Sequence, residues 1–89
     1  MSAPTIRMYT SASCPYCVRA KRLLDAKGVE FEEIHLGMGD PGARIRMSEE
    51  TGGRMTVPQI LVDDRPLGGF DDIKALDDRG ELDALLGIG

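Results

Sequence analysis

Cys14-Pro15-Tyr16-Cys17 is the stretch that decides the fold and the chemistry of this chain. It holds the only two cysteines among 89 residues, and it stands between an apolar run typical of a strand and a pattern typical of a helix. Pro15 suits the first turn of a helix, where its missing N–H would have had no partner. We therefore expect Cys14 at the N-cap of a helix and Cys17 one turn inside it.

A thiol at that N-cap is expected to be reactive. The backbone N–H groups of Tyr16 and Cys17 would point at the Cys14 sulfur as they would at a capping oxygen. Unpaired donors and the positive end of the helix dipole favour an anion there, and the thiolate is the reactive form of cysteine. Because Cys17 falls on the face predicted to be buried, we interpret Cys14 as a nucleophile and Cys17 as the thiol that resolves its mixed disulfide.

Two structural roles for the cysteine pair are less well supported. A static disulfide between them would close a very small loop, add little stability and be reduced in the cytosol. A structural zinc ion takes four ligands, whereas the chain offers two cysteines and one histidine, His35. We interpret His35 as an ordinary polar residue at the end of a strand, and no metal is expected.

The length predicts one domain over residues 1–89, and we expect a monomer in the cytoplasm. Apolar residues make up 42% and charged residues 29%, and no stretch approaches the ~20 apolar residues of a membrane span. The net charge of −4 argues against nucleic acid as a partner. Residues 1–4 lack the features of a signal peptide.

The charges themselves are unevenly placed along the chain. Residues 63–83 are strongly acidic, whereas basic side chains follow the cysteine pair. Solvated helix surface explains both groups, and a locally positive site near the thiols is the alternative. The basic residues in question are Arg19, Lys21, Arg22 and Lys27.

The hydrophobic pattern predicts an α/β fold with a four-stranded mixed sheet and helices on both faces. A strand, a helix and a second strand form a βαβ unit, so those two strands should be parallel. The last two strands form a hairpin, and Pro66 places the final one at an edge. This is the thioredoxin-like architecture, with the cysteine pair after the first strand. The predicted order is strand 6–9, helix 15–27, strand 29–34, loop 37–42, helix 43–50, strand 59–62, strand 65–67, helix 70–78 and helix 81–86.

Thr56-Val57-Pro58-Gln59 is the second informative stretch, because a proline stands at the mouth of a buried strand. A cis bond before Pro58 would turn the N–H and C=O of Val57 outward, where they could pair with a peptide. A trans proline that only starts a strand fits the spacing equally well. The spacing alone leaves both alternatives open.

Three motifs together resemble those of dithiol glutaredoxins of the bacterial type. They are Cys-Pro-Tyr-Cys at 14–17, Thr-Val-Pro-Gln-Ile at 56–60 and Gly-Gly-Phe-Asp-Asp at 68–72, and the likeness covers nearly the whole chain. Thioredoxins are similar in fold but typically carry Trp-Cys-Gly-Pro-Cys, and this chain has no tryptophan. The resemblance implies a glutathione-dependent oxidoreductase that reduces glutathionylated thiols and protein disulfides.

The resemblance also implies how the co-substrate glutathione would be held. Val57 would pair main chain to main chain with the cysteinyl part, with Thr56 beside it and Pro58 in the cis form. Tyr16 would shape the rim of the binding groove.

The resemblance places the other end of glutathione at the start of a helix. The γ-glutamyl carboxylate would lie on the N–H groups of Phe70 and Asp71, after Gly69. Asp72 would receive the ammonium group, with Asp71 as a further candidate. A helix N-terminus for the carboxylate and an aspartate for the amine also make independent physical sense.

One position departs from the family pattern. Family members often carry a lysine three residues before the first cysteine, where this chain has Ser11. That lysine helps to hold the glycine carboxylate of glutathione. We expect Arg44, Arg46 or Arg54 to replace it.

Two other functions remain as alternatives. Some glutaredoxins carry a [2Fe–2S] cluster between two chains, but most of those have a glycine in place of Pro15 and lack a second cysteine. A thioredoxin-type reductase, fed by a flavoenzyme instead of glutathione, is the other alternative.

Overall fold

The computed structural model describes residues 3–37 and 40–88. Within them, no helix is both long enough and apolar enough to cross a membrane. The predicted loop at 37–42 includes residues 38 and 39, which lie outside the described residues, and its last residue begins a helix. The elements are β1 (Ile6–Thr10), α1 (Pro15–Ala26), β2 (Glu32–His35), α2 (Gly42–Glu50), β3 (Gln59–Val62), β4 (Arg65–Gly68), α3 (Phe70–Asp78) and α4 (Leu82–Leu85).

The four strands form one mixed sheet in the order β2-β1-β3-β4. The first two strands run parallel, as the βαβ unit requires, and the other two pairs are antiparallel. Pro66 lies in β4 at the edge of the sheet, where its missing N–H costs no ladder bond. The predicted thioredoxin-like architecture is therefore confirmed.

Two apolar cores lie on opposite faces of the sheet, because alternate strand residues point to opposite sides. On β1, Met8 belongs to the core under α1, α3 and α4, whereas its neighbour Tyr9 belongs to the core under α2. On β3, Ile60 and Leu61 divide in the same way. Helices on both faces thus hold β1 rigidly from above and below, and the cysteine motif follows directly after that strand.

The second strand begins later than the sequence predicts. Residues 29–34 alternate like a strand, but pairing with β1 starts only at Glu32 and continues to His35. Val29 and Phe31 pack against the core under α1 instead of joining the ladder. The chain is still leaving the helix at this point, since the Val29 N–H contacts the Leu24 carbonyl oxygen at 3.4 Å.

A polar network fixes the end of α2 to the sheet. The Arg7 guanidinium donates to both carboxylate oxygens of Glu50, at 3.1 and 2.7 Å, and to Asp64 at 2.7 Å. The hydroxyl of Tyr9, a fully buried residue, donates to the same Glu50 carboxylate. Burial and this hydrogen bond raise the pKa of Tyr9. The network holds the helix whose C-terminal end leads into residues 51–58.

Candidate active site

Cys14 occupies the N-cap of α1, as predicted. Its backbone is extended (φ −112°, ψ 102°), and Pro15 is the first helical residue. The Cys17 N–H donates to the Cys14 sulfur at 3.2 Å. The prediction that Tyr16 donates as well is not met among the described hydrogen bonds, since a capping acceptor pairs with one of the second or third helical N–H groups and here takes the third.

The two thiols differ in burial. Both are free cysteines, so the pair does not form a static disulfide here. Cys14 is partly exposed, whereas Cys17 is only 2% exposed. The pKa of Cys17 is raised to about 11, mainly by burial and to a smaller extent by the hydrogen bond with Cys14. The Ser11 backbone and the charge of Lys21 lower it. Cys17 is therefore a shielded, protonated thiol at neutral pH.

The loop before β3 lies directly opposite Cys14. The Val57–Pro58 peptide bond is cis, which decides between the two alternatives left open by the sequence. The Cys14 thiol donates to the Val57 carbonyl oxygen across 3.8 Å. The first and second motifs, more than forty residues apart in sequence, thus meet at the sulfur.

The third motif completes an open groove of about 200 Å³, which we call the α3 groove. Every residue that the resemblance assigned to glutathione lies in its wall, together with one of the three candidate arginines and one residue that the sequence did not single out. The lining residues are Tyr16, Arg54, Thr56, Val57, Pro58, Gln59, Gly69, Phe70, Asp71 and Asp72.

The start of α3 supplies both N–H donors and a carboxylate to this groove. Gly69 is the N-cap, and its N–H donates to Asp72 Oδ2 at 2.8 Å, which is one half of a capping box. The Gly69 N–H and the nearby Arg54 guanidinium hold the pKa of Asp72 below its usual value. The next two N–H groups, of Phe70 and Asp71, belong to the first turn and have no partner within the helix.

Gly68 makes this arrangement possible. Its φ is +109°, a conformation that side chains rarely adopt, and a Cβ there would lie 2.6 Å from Asp72 Cγ. A glycine is therefore needed for the Asp72 carboxylate to fold back over the chain and cap the helix.

The rim of the α3 groove is aromatic. Tyr16 is 50% exposed, and its ring centroid lies 6.4 Å from that of Phe70. The Arg19 guanidinium lies 5.2 Å from the centroid of the Tyr16 ring, within the range of a cation–π contact. The first helix and the third helix thus meet at the mouth of the groove.

The three candidate arginines have different surroundings. Arg54 lines the α3 groove and contacts Asp72 at 3.2 Å. Arg46 forms an ion pair with Asp40 at 2.7 Å. Arg44 reaches the carbonyl oxygen of Met55 at 3.5 Å. Of the three, Arg54 is the one that the structure brings into the groove.

Gln59 is the groove residue that sequence reasoning missed. It is 1% exposed and its Nε2 donates to the Thr56 hydroxyl at 3.3 Å. Its Oε1 is buried without a hydrogen-bond partner among the described residues. The available signal was a polar side chain in the first position of an otherwise apolar strand, immediately after Pro58.

A second depression, which we call the β2 cleft, has both thiols in its wall. It contains the cysteine pair, Ser11, Lys21 and His35, with Ala12, Ser13, Pro15 and Val18 in its wall. His35 ends β2, as predicted, and its Nδ1 lies 3.2 Å from the Leu36 carbonyl oxygen. Within the described part of the chain, no three His, Cys, Asp or Glu side chains come together as a metal site would require.

Comparison with known proteins shows which family the chain belongs to. The family model described as Glutaredoxin matches residues 6–67. Glutaredoxin 3 of Escherichia coli (strain K12) is 49% identical over 81 residues, which is 91% of this chain and 95% of that protein.

Solved structures give the same result. The solution structure of a glutaredoxin from Brucella melitensis has a TM-score of 0.81 and 46% identity, covering 97% of this chain and 91% of that one. The crystal structure of a buckwheat glutaredoxin–glutathione complex has a TM-score of 0.84 and 26% identity, covering 94% and 77%.

Proposed function

This chain belongs to the glutaredoxin family, and on that premise we propose that it reduces glutathione mixed disulfides and protein disulfides with glutathione as the electron donor. One observation carries the proposal. A free Cys14 thiol caps α1, receives the Cys17 N–H at 3.2 Å and faces the Val57 carbonyl at the end of the α3 groove.

Cys14 is proposed to act first. Its thiolate attacks the glutathione sulfur of a mixed disulfide, so that a bond forms between Cys14 and glutathione while the original S–S bond breaks. The electron pair leaves on the substrate sulfur, which then takes a proton. A second glutathione thiolate attacks the sulfur of the bound glutathione, which gives glutathione disulfide and regenerates Cys14.

Protein disulfides require both cysteines. Attack by Cys14 leaves the substrate attached through a mixed disulfide, and Cys17 then attacks the Cys14 sulfur. A Cys14–Cys17 disulfide forms and the substrate leaves as a dithiol. Two glutathione molecules return the pair to the reduced state, giving one glutathione disulfide.

The α3 groove is the proposed seat of glutathione. Its cysteinyl part would pair with the main chain of Val57, between Tyr16 on the rim and Thr56 and Pro58 on the floor. The shape of the groove supports this proposal, since it runs from the Cys14 side of α1 to the start of α3.

At the far end of the groove, the γ-glutamyl carboxylate would meet the free N–H groups of Phe70 and Asp71, after Gly69. The ammonium would meet the Asp72 carboxylate, with Asp71 close by. One oxygen of Asp72 already accepts from Gly69 and Arg54, so the ammonium would use the other or displace the arginine.

We also propose that the protein works as a monomer of one domain in the cytoplasm. Glutathione keeps thiols reduced there, and the proposed reaction consumes glutathione.

The test compares Cys14→Ser with Cys17→Ser. Cys17→Ser should keep the removal of glutathione from a glutathionylated protein and lose the reduction of a protein disulfide, whereas Cys14→Ser should lose both. Each activity is followed by coupling glutathione disulfide to glutathione reductase. Equal loss of deglutathionylation in the two variants would overturn the roles proposed for the cysteines, and a wild-type protein inactive with glutathione would overturn the function.

A further inference from the structure

We propose that Lys21 is a positioning residue for the dithiol reaction: its ammonium group favours the ionised form of Cys17 while that thiol attacks the mixed disulfide at Cys14. This inference rests on the proposed function, because it concerns the second of the two steps described above.

The position of Lys21 on the helix brings its charge to the buried thiol. Lys21 follows Cys17 by four residues on α1, so the two side chains are neighbours on one face. Helical side chains lean toward the N-terminus, which carries the ammonium back over the turn that holds Cys17. Both residues line the β2 cleft, and of the described residues in its wall Lys21 alone carries a permanent positive charge.

The ammonium is held in place from the neighbouring strand. Lys21 Nζ lies 2.6 Å from Glu33 Oε2 on β2, and the Thr10 hydroxyl donates to the same oxygen at 2.6 Å. Thr10 is fully buried at the end of β1, so this anchor is part of the sheet. Burial raises the pKa of Glu33, but the contacts with Lys21 and Thr10 outweigh it and leave the pKa below its usual value. A lysine restrained in this way keeps its charge at a defined distance from the cleft.

Cys17 needs such help because it is buried. Burial and the hydrogen bond with Cys14 raise its pKa to about 11, while the Ser11 backbone and Lys21 lower it. Once Cys14 is in a mixed disulfide, its thiol no longer raises the pKa of Cys17. Burial still raises that pKa, and the Ser11 backbone and the Lys21 charge lower it. Besides the cysteines and Lys21, the titratable side chain in the wall of the cleft is His35; Glu33 lies next to Lys21, and its carboxylate is already paired with the ammonium.

The attack of Cys17 on the mixed disulfide needs no further oxidant or reductant. The Cys17 thiol loses its proton, and its sulfur attacks the Cys14 sulfur of the mixed disulfide. The Cys14–Cys17 bond forms, the bond to the leaving sulfur breaks, and the leaving thiolate takes up one proton. The two electrons that the substrate gains come from the two cysteine thiols.

The experiment measures this step alone. Reduced protein is mixed with excess glutathione disulfide, quenched in acid at intervals, and the glutathionylated and internally oxidised forms are counted by mass spectrometry. The rate at which the glutathionylated form converts to the internally oxidised form is measured from about pH 6 to about pH 10, a range that brackets the ordinary cysteine pKa. The variants are Lys21→Met, Lys21→Arg and the matched control Arg22→Met, which removes one positive charge from the same helix.

Lys21→Met should slow the conversion about three- to tenfold at pH 7 and displace its pH profile upward, the size expected for one charge near a partly screened site. Lys21→Arg should restore most of the rate, and Arg22→Met should match the wild type. An unchanged rate and profile in Lys21→Met, or no rescue by arginine, would overturn the inference.

Failure of the proposed function would look different. In that case glutathione disulfide would not glutathionylate Cys14 in the wild-type protein. The conversion step could then still be measured after loading Cys14 with 2-hydroxyethyl disulfide, and Lys21→Met would be compared on that adduct.

Discussion

The α3 groove and the β2 cleft both border Cys14 but are lined by different kinds of group. The groove presents main-chain groups, two aromatic rings and a helix start, and its Asp72 carboxylate is already engaged in capping that helix. The cleft instead collects titratable side chains around a buried thiol, with Lys21 and His35 in its wall. The Cys14 sulfur thus borders two surfaces. The groove is suited to recognising a ligand, and the charged groups of the cleft can influence the ionisation of a thiol. Variants on the two sides should therefore fail in different ways.

The largest expected effect comes from a substitution that distorts the α3 groove. Gly68→Ala places a Cβ at φ +109° and 2.6 Å from Asp72 Cγ, so both the backbone and the helix cap must shift. We expect a loss of about 3 kcal/mol in the free energy of unfolding and a higher KM for glutathione. Urea unfolding and steady-state kinetics measure the two.

Gly53→Ala is the matched control for this change. Gly53 has nearly the same φ, +100°, but nothing lies within 4 Å of the added Cβ. Its cost should be about 1 kcal/mol, with no change in KM. Equal losses in the two variants would show that the overlap with Asp72 does not matter.

A second prediction concerns the pH dependence of stability on the cleft side. The pKa of Cys17 is raised from the ordinary value of 9.0 to about 11, so the folded state holds its proton more tightly than the unfolded state. This stabilisation is complete below pH 9 and is lost as the pH rises toward 11. Reduced protein should lose about 2 kcal/mol of unfolding free energy over that range.

Cys17→Ala isolates that contribution. Tyr9 and the lysines titrate in both proteins, so the difference between the two curves belongs to the thiol. The free energy of unfolding of both proteins is measured by urea unfolding under reducing conditions at about pH 8, 9, 10 and 11. Parallel curves would contradict the raised pKa of Cys17.

The smallest expected effect sharpens the role of Arg54. Arg54→Ala removes a half-exposed cation that contacts Asp72 in the groove, so KM for glutathione should rise about two- to fivefold with kcat unchanged. Arg79→Ala removes an equal charge from the far end of α3, where the side chain pairs with Glu81, and should leave KM alone. If both variants behave alike, the charge acts through the general field of the protein and not within the groove.

Most of the fold followed from hydrophobic periodicity and turn chemistry. The bounds of β3 and α3 are those predicted, because one is a run of apolar residues and the other begins after a glycine pair with acidic residues in its first turn. The predicted start of β2 was wrong. Val29 and Phe31 fit the alternating pattern because they pack against the core, although they lie outside the strand ladder. Periodicity reports burial, and only the pairing partner decides whether a buried residue belongs to a strand.

The candidate site was predictable on the groove side and less so on the cleft side. Most groove residues lie in contiguous motifs, and Gln59 lies in the second motif, but its position at the start of a strand gave it no predicted role in the groove. His35 and Lys21 join the cysteines only through the parallel pairing of β1 and β2 and the four-residue spacing on α1. The four-residue spacing can be read from the sequence, whereas the position of His35 is visible only once the strand register is known.

The two outer strands of the sheet have a consequence for how this protein meets its substrates. Pro66 removes a donor from one border, and the exposed Glu32 places negative charge on the other. Both features discourage a foreign chain from adding itself as a fifth strand. The reductase can therefore meet a polypeptide without edge-to-edge strand addition to its sheet.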